Sequence, residues 1–553
     1  MNEQKRIVVV GGVAGGMSFA TRYKRLHPHA EVIVLDKGPY VSFANCGLPY
    51  ALGDVISKRH RLIVETKERL GARFEIDVYT DTEVIGVYPD VKEVEVINNL
   101  EKRRIRYDEL VLSPGAKPFM IDIPGLKPED TYVLRNIPDL DRLQERVNDD
   151  GIHKAIVIGA GFIGLEVAEN LKVKGFEVTI VEKAPHVLPP FDEEMAEFAR
   201  LELVKNGVNV YANDEVIEVK NKVAILKSGH SIKFDLVVMS VGVVADTNFL
   251  KDTGIKMNGR GFIYVDDHYQ TSVKDIYAVG DAILVKHEIT GELVSIALAN
   301  PANRQGRQLA DHLGGFKTFN RGTLGTAILK LFTGSYASTG LNERQVKNAN
   351  LPYKTVYLSW FDHATYYPGA TGINLKVIFN PDNGLVYGAQ GVGEKGVDKR
   401  IDIIATAIKA KLPINEWPEL EFSYAPPFGM AKDIVNLAGY FASNVMQKVT
   451  ELVEWHELEE RMNNGAIVVD VRSERERMRH GYIKGSINIP IERFRDQYDE
   501  LPLDREIILY CESGTRSYNA ERILKSYGYK AYNLNGAYAI YQVAKPEHVI
   551  KDE

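Results

Sequence analysis

The chain has 553 residues, 45% of them hydrophobic, and a formal net charge of −7. That length holds roughly three to four domains with their own cores, and the acidic balance gives no electrostatic reason to expect nucleic acid or an anionic membrane surface as partner. No apolar run approaches the roughly 20 residues of a membrane helix, and two cysteines, Cys46 and Cys511, suit a reducing cytoplasm better than a disulfide framework.

From the N-terminus, Arg6–Val10 reads as a strand, Gly11-Gly12-Val13-Ala14-Gly15-Gly16 as a glycine turn, and the stretch from Met17 as a helix, with Asp36 closing the next strand. Ser42–Tyr50 is a loop around Cys46, and Tyr107–Gly115 is a strand ending in a turn. The Pro- and Asp-rich piece from Lys117 to Asp130 reads as a crossover between domains. The opening grammar then repeats, with strand Ala155–Ile158, turn Gly159-Ala160-Gly161-Phe162-Ile163-Gly164, helix Leu165–Val173 and Glu182 at the end of the following strand. Two such units predict an α/β protein with two nucleotide-binding, doubly wound parallel sheets. Asp275–Asp281 is another buried strand ending in Gly280-Asp281, and Thr326–Phe441 alternates strands and helices without a nucleotide motif. Near residue 450 the pattern restarts: a helix over Glu451–Met462, a strand at Ala466–Asp470, and a strand at Glu506–Tyr510 that runs straight into Cys511. This last part is an independent α/β domain of about 100 residues.

A glycine turn between strand and helix lets the backbone approach a pyrophosphate, whose charge rests on the helix N-terminus. Gly159, Gly161 and Gly164 complete that pattern, and Glu182 is placed for a ribose hydroxyl. In the first copy Gly11, Gly15 and Gly16 serve with Asp36, while Val13 stands where a second glycine is usual. A carboxylate about 4 Å from a 2′-phosphate is repelled by roughly 4 kcal/mol at an effective dielectric of 20. Glu182 therefore favours NADH over NADPH, with Lys183 able to offset part of the penalty. The 13 histidines do not gather with the cysteines at metal-ligand spacing, so no metal site is expected.

These residues resemble the pyridine-nucleotide-disulfide oxidoreductases, through both glycine turns, Tyr107–Gly115 and Thr271–Asp281, and the Ser42-Phe43-x-x-Cys46-Gly47-Leu48-Pro49-Tyr50 segment is similar to their single-cysteine branch of coenzyme A-disulfide reductases and NADH oxidases or peroxidases. Asp470-Val471-Arg472, the stretch from His480 to Pro490, and Cys511–Ser517 resemble a rhodanese domain. The resemblance implies an FAD-binding domain over 1–115 and 246–325, an NAD(P)H-binding domain over 116–245, an α+β dimerisation domain over 326–445 and a rhodanese-like domain over 446–553. It places FAD on Gly11, Gly15, Gly16, Asp36, Gly115, Gly280 and Asp281, and NADH or NADPH on Gly159, Gly161, Gly164 and Glu182. Coenzyme A falls on Ser18, Arg22, Ser42 and Asn45, and in looser register on Arg73, Asn303 and Lys432, with Arg25 and Arg61 as further phosphate candidates. Tyr367 and Tyr424 match two tyrosines that reach the redox cysteine across a homodimer.

With one cysteine in the segment, Cys46 has to borrow an external sulfur, so its oxidised state is either a mixed disulfide with coenzyme A or a sulfenic acid. The implied reaction is flavin-dependent reduction, by NAD(P)H, of coenzyme A disulfide, coenzyme A persulfide or polysulfide. The flavin and a helix N-terminus after Gly47 are expected to favour the Cys46 thiolate. Cys511 to Arg516 is a turn whose backbone N–H groups are expected to converge on the sulfur and stabilise a thiolate or persulfide. Four residues separate Cys511 from Arg516, as in rhodaneses, where a phosphatase loop has five. Glu512 leaves this loop near neutral with Arg516, so a persulfide or polysulfide is expected as donor in place of thiosulfate. Two other readings stay open: an NADH oxidase or peroxidase cycling through a Cys46 sulfenic acid, and a non-enzymatic redox-sensing or sulfur-delivery module.

Overall fold

The structure is a computed structural model and describes residues 5–551. The chain divides into two compact units, one running to Ala184 and resuming over Gly207–Gly325, the other taking Pro185–Asn206 and the described residues from Thr326 onward.

Two five-stranded parallel sheets organise the first unit. One has the spatial order Ile276–Ala278, Glu109–Leu112, Arg6–Val10, Glu31–Leu35, Asp77–Tyr79. The other runs Asn209–Ala212, Glu177–Glu182, Lys154–Ile158, Leu236–Met239, Thr131–Tyr132. Their central strands are unbroken runs of buried Val, Ile and Leu, as expected where a parallel sheet is covered on both faces. The segment read as a crossover contributes a short strand, Ala116–Pro118, paired antiparallel with Val243–Ala245.

The first helix spans Ala14–Leu26, beginning inside the glycine turn and not at Met17. It starts early because the turn is folded against itself: a Cβ on Gly16 would lie 1.9 Å from the Gly11 carbonyl oxygen, and one on Gly164 would lie 2.0 Å from that of Gly159. Gly11 and Gly159 hold φ of +98° and +100°, a region open to glycine and costly for other residues. The middle positions make no such demand. Val13 sits at φ −108° and Gly161 at −76°, so the backbone of this turn accepts valine in place of the usual second glycine.

The second unit holds a five-stranded antiparallel sheet in the order Ala327–Leu331, Gly334–Gly340, Val386–Gly393, Gly372–Phe379, Lys354–Phe361. Helices Val397–Ala410 and Ile434–Met446 pack on it. A parallel sheet follows, ordered Leu452–Val453, Lys530–Leu534, Glu506–Tyr510, Ile467–Asp470, Ile487–Asn488. The helix expected over Glu451–Met462 is instead a short strand, Leu452–Val453, and a helix limited to Leu458–Asn463. Pairing with Asn533 and Leu534 buries Val453 completely, and that tertiary contact overrides the local helical pattern.

Beside this strand, Glu454 accepts hydrogen bonds from Asn535 Nδ2 at 3.0 Å and Thr355 Oγ1 at 3.1 Å, joining the two sheets of the unit. Burial pushes its carboxyl from 4.5 up to about 7. An acid whose folded pKa is raised loses stability as pH climbs from its unfolded value to its folded one. Glu454→Gln removes that loss. Chemical denaturation should show the variant more stable than the parent by up to about 3 kcal/mol at pH 8, with the gap closing toward pH 4.5.

Candidate active sites

Cys46 follows the strand Glu31–Leu35 through a bend at Ser42, whose φ is +47° and whose N–H donates to the Gly12 carbonyl at 2.8 Å. The cysteine lies in a 3-10 turn, Asn45–Gly47, ahead of the one-turn helix Leu48–Leu52, and is solvent-exposed. Around it gather residues distant in sequence. Asn45 Nδ2 donates to the Arg135 carbonyl at 3.5 Å, while Arg135 Nη2 donates to Asp281 Oδ2 at 2.7 Å and its Nε to the Ala116 carbonyl at 3.0 Å. Tyr50 Oη donates to Glu166 Oε1 at 3.2 Å.

The protein's own groups around Cys46 pull against the thiolate that a bound flavin is expected to favour. Partial enclosure, then the charges of Glu166 and Asp281, push the Cys46 pKa up, and Arg135 offsets only part of this. Glu166 is itself raised to about 7 by burial, with the Tyr50 hydroxyl opposing the shift.

The two strand-end acids share one geometry. Asp36 accepts from the N–H of Gly12 at 2.7 Å and of Gly38 at 2.8 Å; Glu182 accepts from Ala160 at 2.6 Å and Ala184 at 2.7 Å. Each therefore braces its own glycine turn. Lys183 reaches Glu215 at 2.8 Å, which balances its charge. Gly115 follows the strand Glu109–Leu112, and Gly280 opens the turn that carries Asp281, its N–H donating to Gln305 Oε1 at 2.7 Å.

Of the residues aligned with coenzyme A, Ser18 and Asn303 meet directly, Ser18 Oγ donating to Asn303 Oδ1 at 2.6 Å. Arg22 is paired with Asp311 at 2.6 Å and Arg73 with Glu65 at 3.5 Å. Arg25 and Arg73 both lie over the Phe74 ring. Burial, then the positive charges of Arg22, Arg307 and Arg73, lower the Arg25 pKa, although Arg22 and Arg307 both pair with Asp311 and Arg73 with Glu65. Arg61 lies in the turn Arg59–Leu62. Lys432 is exposed, next to the Asp433 that caps Ile434–Met446, and alone of this set belongs to the second unit.

Tyr367 and Tyr424 are both exposed. Tyr424 shares a hydroxyl–hydroxyl hydrogen bond of 2.8 Å with Tyr366, while Tyr367 packs edge-on against His363. Tyr366 was not distinguishable from Tyr367 by sequence; only the fold selects it as the partner of Tyr424. Phe428, four residues past Tyr424 on the same unit, is 72% exposed.

Cys511 is buried at the end of the strand Glu506–Tyr510. Its Sγ accepts from the Gly514 N–H at 3.1 Å and from Ser517 Oγ at 3.5 Å, and the Arg516 side chain also interacts with it, where a ring of backbone amides was expected. Arg516 donates twice to Glu476, at 2.8 and 2.7 Å, and this pairing holds the Glu476 carboxyl down at about 2. Glu512 is paired with Arg472 at 3.1 Å, whose guanidinium also holds Asp470. The loop is near neutral as expected, but through these two pairs and not through Glu512 with Arg516.

The sequence model of the pyridine nucleotide-disulphide oxidoreductase family matches residues 5–306, that of its dimerisation domain 327–433, and that of the rhodanese-like domain 454–544. The chain belongs to the pyridine nucleotide-disulphide oxidoreductases. The coenzyme A disulfide reductase of Staphylococcus haemolyticus is 34% identical over 444 residues, covering 80% of this chain and 100% of that protein. Among solved structures, reduced CoADR-RHD from Bacillus anthracis is 44% identical with a TM-score of 0.97 over 99% of both chains. An NAD-dependent persulfide reductase from A. fulgidus is 35% identical with a TM-score of 0.91, over 97% of this chain and 100% of that one.

As a pyridine nucleotide-disulphide oxidoreductase the protein is an enzyme that uses FAD and NAD(P)H and carries a rhodanese-like domain. The turns fit such cofactors: helices Ala14–Leu26 and Phe162–Val173 have neither a side-chain cap nor an acidic residue in the first turn. Their leading N–H groups are left for an anion. Among the described residues, one carboxylate trio stands at metal-binding range, Asp192, Glu194 and Glu343, but the buried Lys376 ammonium lies among them at 2.8, 2.6 and 2.6 Å. A cation is already built into that cluster.

Proposed function

We propose that the protein is an NADH-dependent reductase of coenzyme A disulfide, coenzyme A persulfide or polysulfide, acting through Cys46, with sulfane sulfur carried on Cys511 in the rhodanese-like domain. The observation that carries this reading is that both cysteines are free and Cys46 is the one cysteine of the first unit, so it takes its redox partner from a small molecule. Free thiols also suit the reducing cytoplasm.

In this reading Gly11, Gly15, Gly16, Asp36, Gly115, Gly280 and Asp281 hold FAD, and Gly159, Gly161, Gly164 and Glu182 hold the nicotinamide nucleotide. The bound cofactors supply a two-electron reduction of the Cys46 disulfide. Ser18, Arg22, Ser42, Asn45, Arg73 and Asn303 bind coenzyme A, with Arg25 beside them for its phosphates. Cys46 attacks the incoming disulfide or persulfide; Glu166 Oε1 and Tyr50 Oη hold a proton close by for the departing thiolate. The exposed rings of Tyr366, Tyr367 and Tyr424 are the surface that a second subunit covers in a homodimer, where Tyr367 and Tyr424 serve the redox cysteine.

Lys183 is engaged by Glu215, so it does not relieve the repulsion between Glu182 and a 2′-phosphate. Initial rates should give a kcat/KM for NADH at least about tenfold above that for NADPH, and Glu182→Ala should narrow the ratio.

The decisive experiment is anaerobic NADH consumption with coenzyme A disulfide, polysulfide and peroxide supplied separately. The sulfur substrates should be turned over and peroxide should not; peroxide as the preferred oxidant would establish the sulfenic acid cycle instead. Cys511→Ser should keep coenzyme A disulfide reduction and lose sulfur transfer to cyanide, with Arg516→Ala weakening the latter.

A further inference from the structure

Helix Ile434–Met446 lies between the segments matched by the dimerisation domain and the rhodanese-like domain, so neither family accounts for what it does. Its inner face is Ile434, Val435, Ala438 and Ala442. Phe441 leaves that face and reaches the Cys511 loop: a Cβ on Gly514 would lie 3.6 Å from Phe441 Cζ. The ring stands 6.5 Å from that of Tyr518 at an interplanar angle of 56°. Gly514 is the residue whose N–H donates to Cys511 Sγ, and Tyr518 lies in the helix Thr515–Ser526 that the loop feeds. Two half-buried aromatic rings therefore adjoin the loop that holds the sulfur.

The polar side of the loop is already matched. Arg516 is shared between Glu476 and the Cys511 sulfur, Arg472 is held by Asp470, Glu512 and the Gly481 carbonyl, and Arg477 approaches Asp470 at 3.8 Å. Asp470, Glu476 and Glu512 cancel these three cations. A small dianion meets no surplus positive charge here, whereas the carbon chain of an organic thiol meets an apolar wall.

We propose that Phe441, with Tyr518, is the specificity wall of the Cys511 site and selects a persulfide borne on an organic thiol over thiosulfate. This rests on the reading that Cys511 carries sulfane sulfur. The Cys511 thiolate attacks the terminal sulfur of R–S–SH, the S–S bond of the donor breaks, RSH leaves with the proton, and Cys511–S–S⁻ forms without net oxidation or reduction.

The test measures sulfur transfer to cyanide by the full flavin-loaded protein, with glutathione persulfide, coenzyme A persulfide and thiosulfate as separate donors. Phe441→Ala should raise the KM for both persulfides about tenfold and leave thiosulfate kinetics within about twofold. Phe441→Leu, which keeps most of the packing, should raise it less, and Tm and flavin content identify a variant that is merely misfolded. If both variants match an active parent, or if all three donors suffer equally in folded protein, the wall assignment is wrong. A parent that transfers sulfur from none of the donors overturns the carrier reading together with it. Of the two rises, the larger identifies which persulfide the wall fits better.

Discussion

Cys46→Ser abolishes NADH-dependent reduction of coenzyme A disulfide and polysulfide, by on the order of a thousandfold or more, because an oxygen cannot form and release the sulfur–sulfur bond on which each cycle depends. The substitution is close to isosteric, at an exposed position in a 3-10 turn, so folding and flavin content should not change. NADH should still bleach the flavin in the variant under anaerobic conditions, while the electrons stop there. Stopped-flow absorbance separates the two half-reactions. Turnover retained by the serine variant would remove Cys46 from the chemistry and with it the proposed function.

Lys376→Met should be among the most destabilising single changes in the second unit. Nζ is fully buried between Asp192, Glu194 and Glu343, and the carboxylates raise its pKa well above normal although burial alone would lower it. Removing the cation leaves buried carboxylates facing one another, a defect that costs about 3–5 kcal/mol. Glu343, whose pKa Lys376 lowers against the effect of burial, contributes stability that is present above its unfolded pKa and lost as pH falls. The deficit of the variant should therefore be largest near neutral pH and shrink toward pH 4, which denaturation curves at both pH values will measure. A deficit independent of pH would mean that lost packing, and not unpaired charge, is responsible.

Helix Ile434–Met446 and the Lys376 cluster illustrate where sequence reading stops. Phe441 reads as one more apolar residue on a helix, and Lys376 as one lysine in a strand; neither carries a local signal. Their meaning comes from segments far away in the chain, Gly514 in one case and Asp192 with Glu194 in the other. Arg135, Glu166 and Tyr366 were missed for the same reason. The tyrosine pairing was equally out of reach, since Tyr366 and Tyr367 differ in nothing but the direction in which the backbone sends them.

What the chain's order of residues determined alone was the chemistry available: two cysteine thiols, two glycine turns with an acid after each, and a C-terminal loop with cysteine and arginine at rhodanese spacing. Those features are local, because a turn needs its glycines and a strand its branched residues whatever lies elsewhere. Tertiary structure decided the electrostatics. It set Glu166 and Asp281 near Cys46, where they raise the thiol's pKa against the expected pull of the flavin, and it paired Arg516 with Glu476 and Glu512 with Arg472. Charge interactions depend on distance through space and on burial, and both are properties of the folded chain.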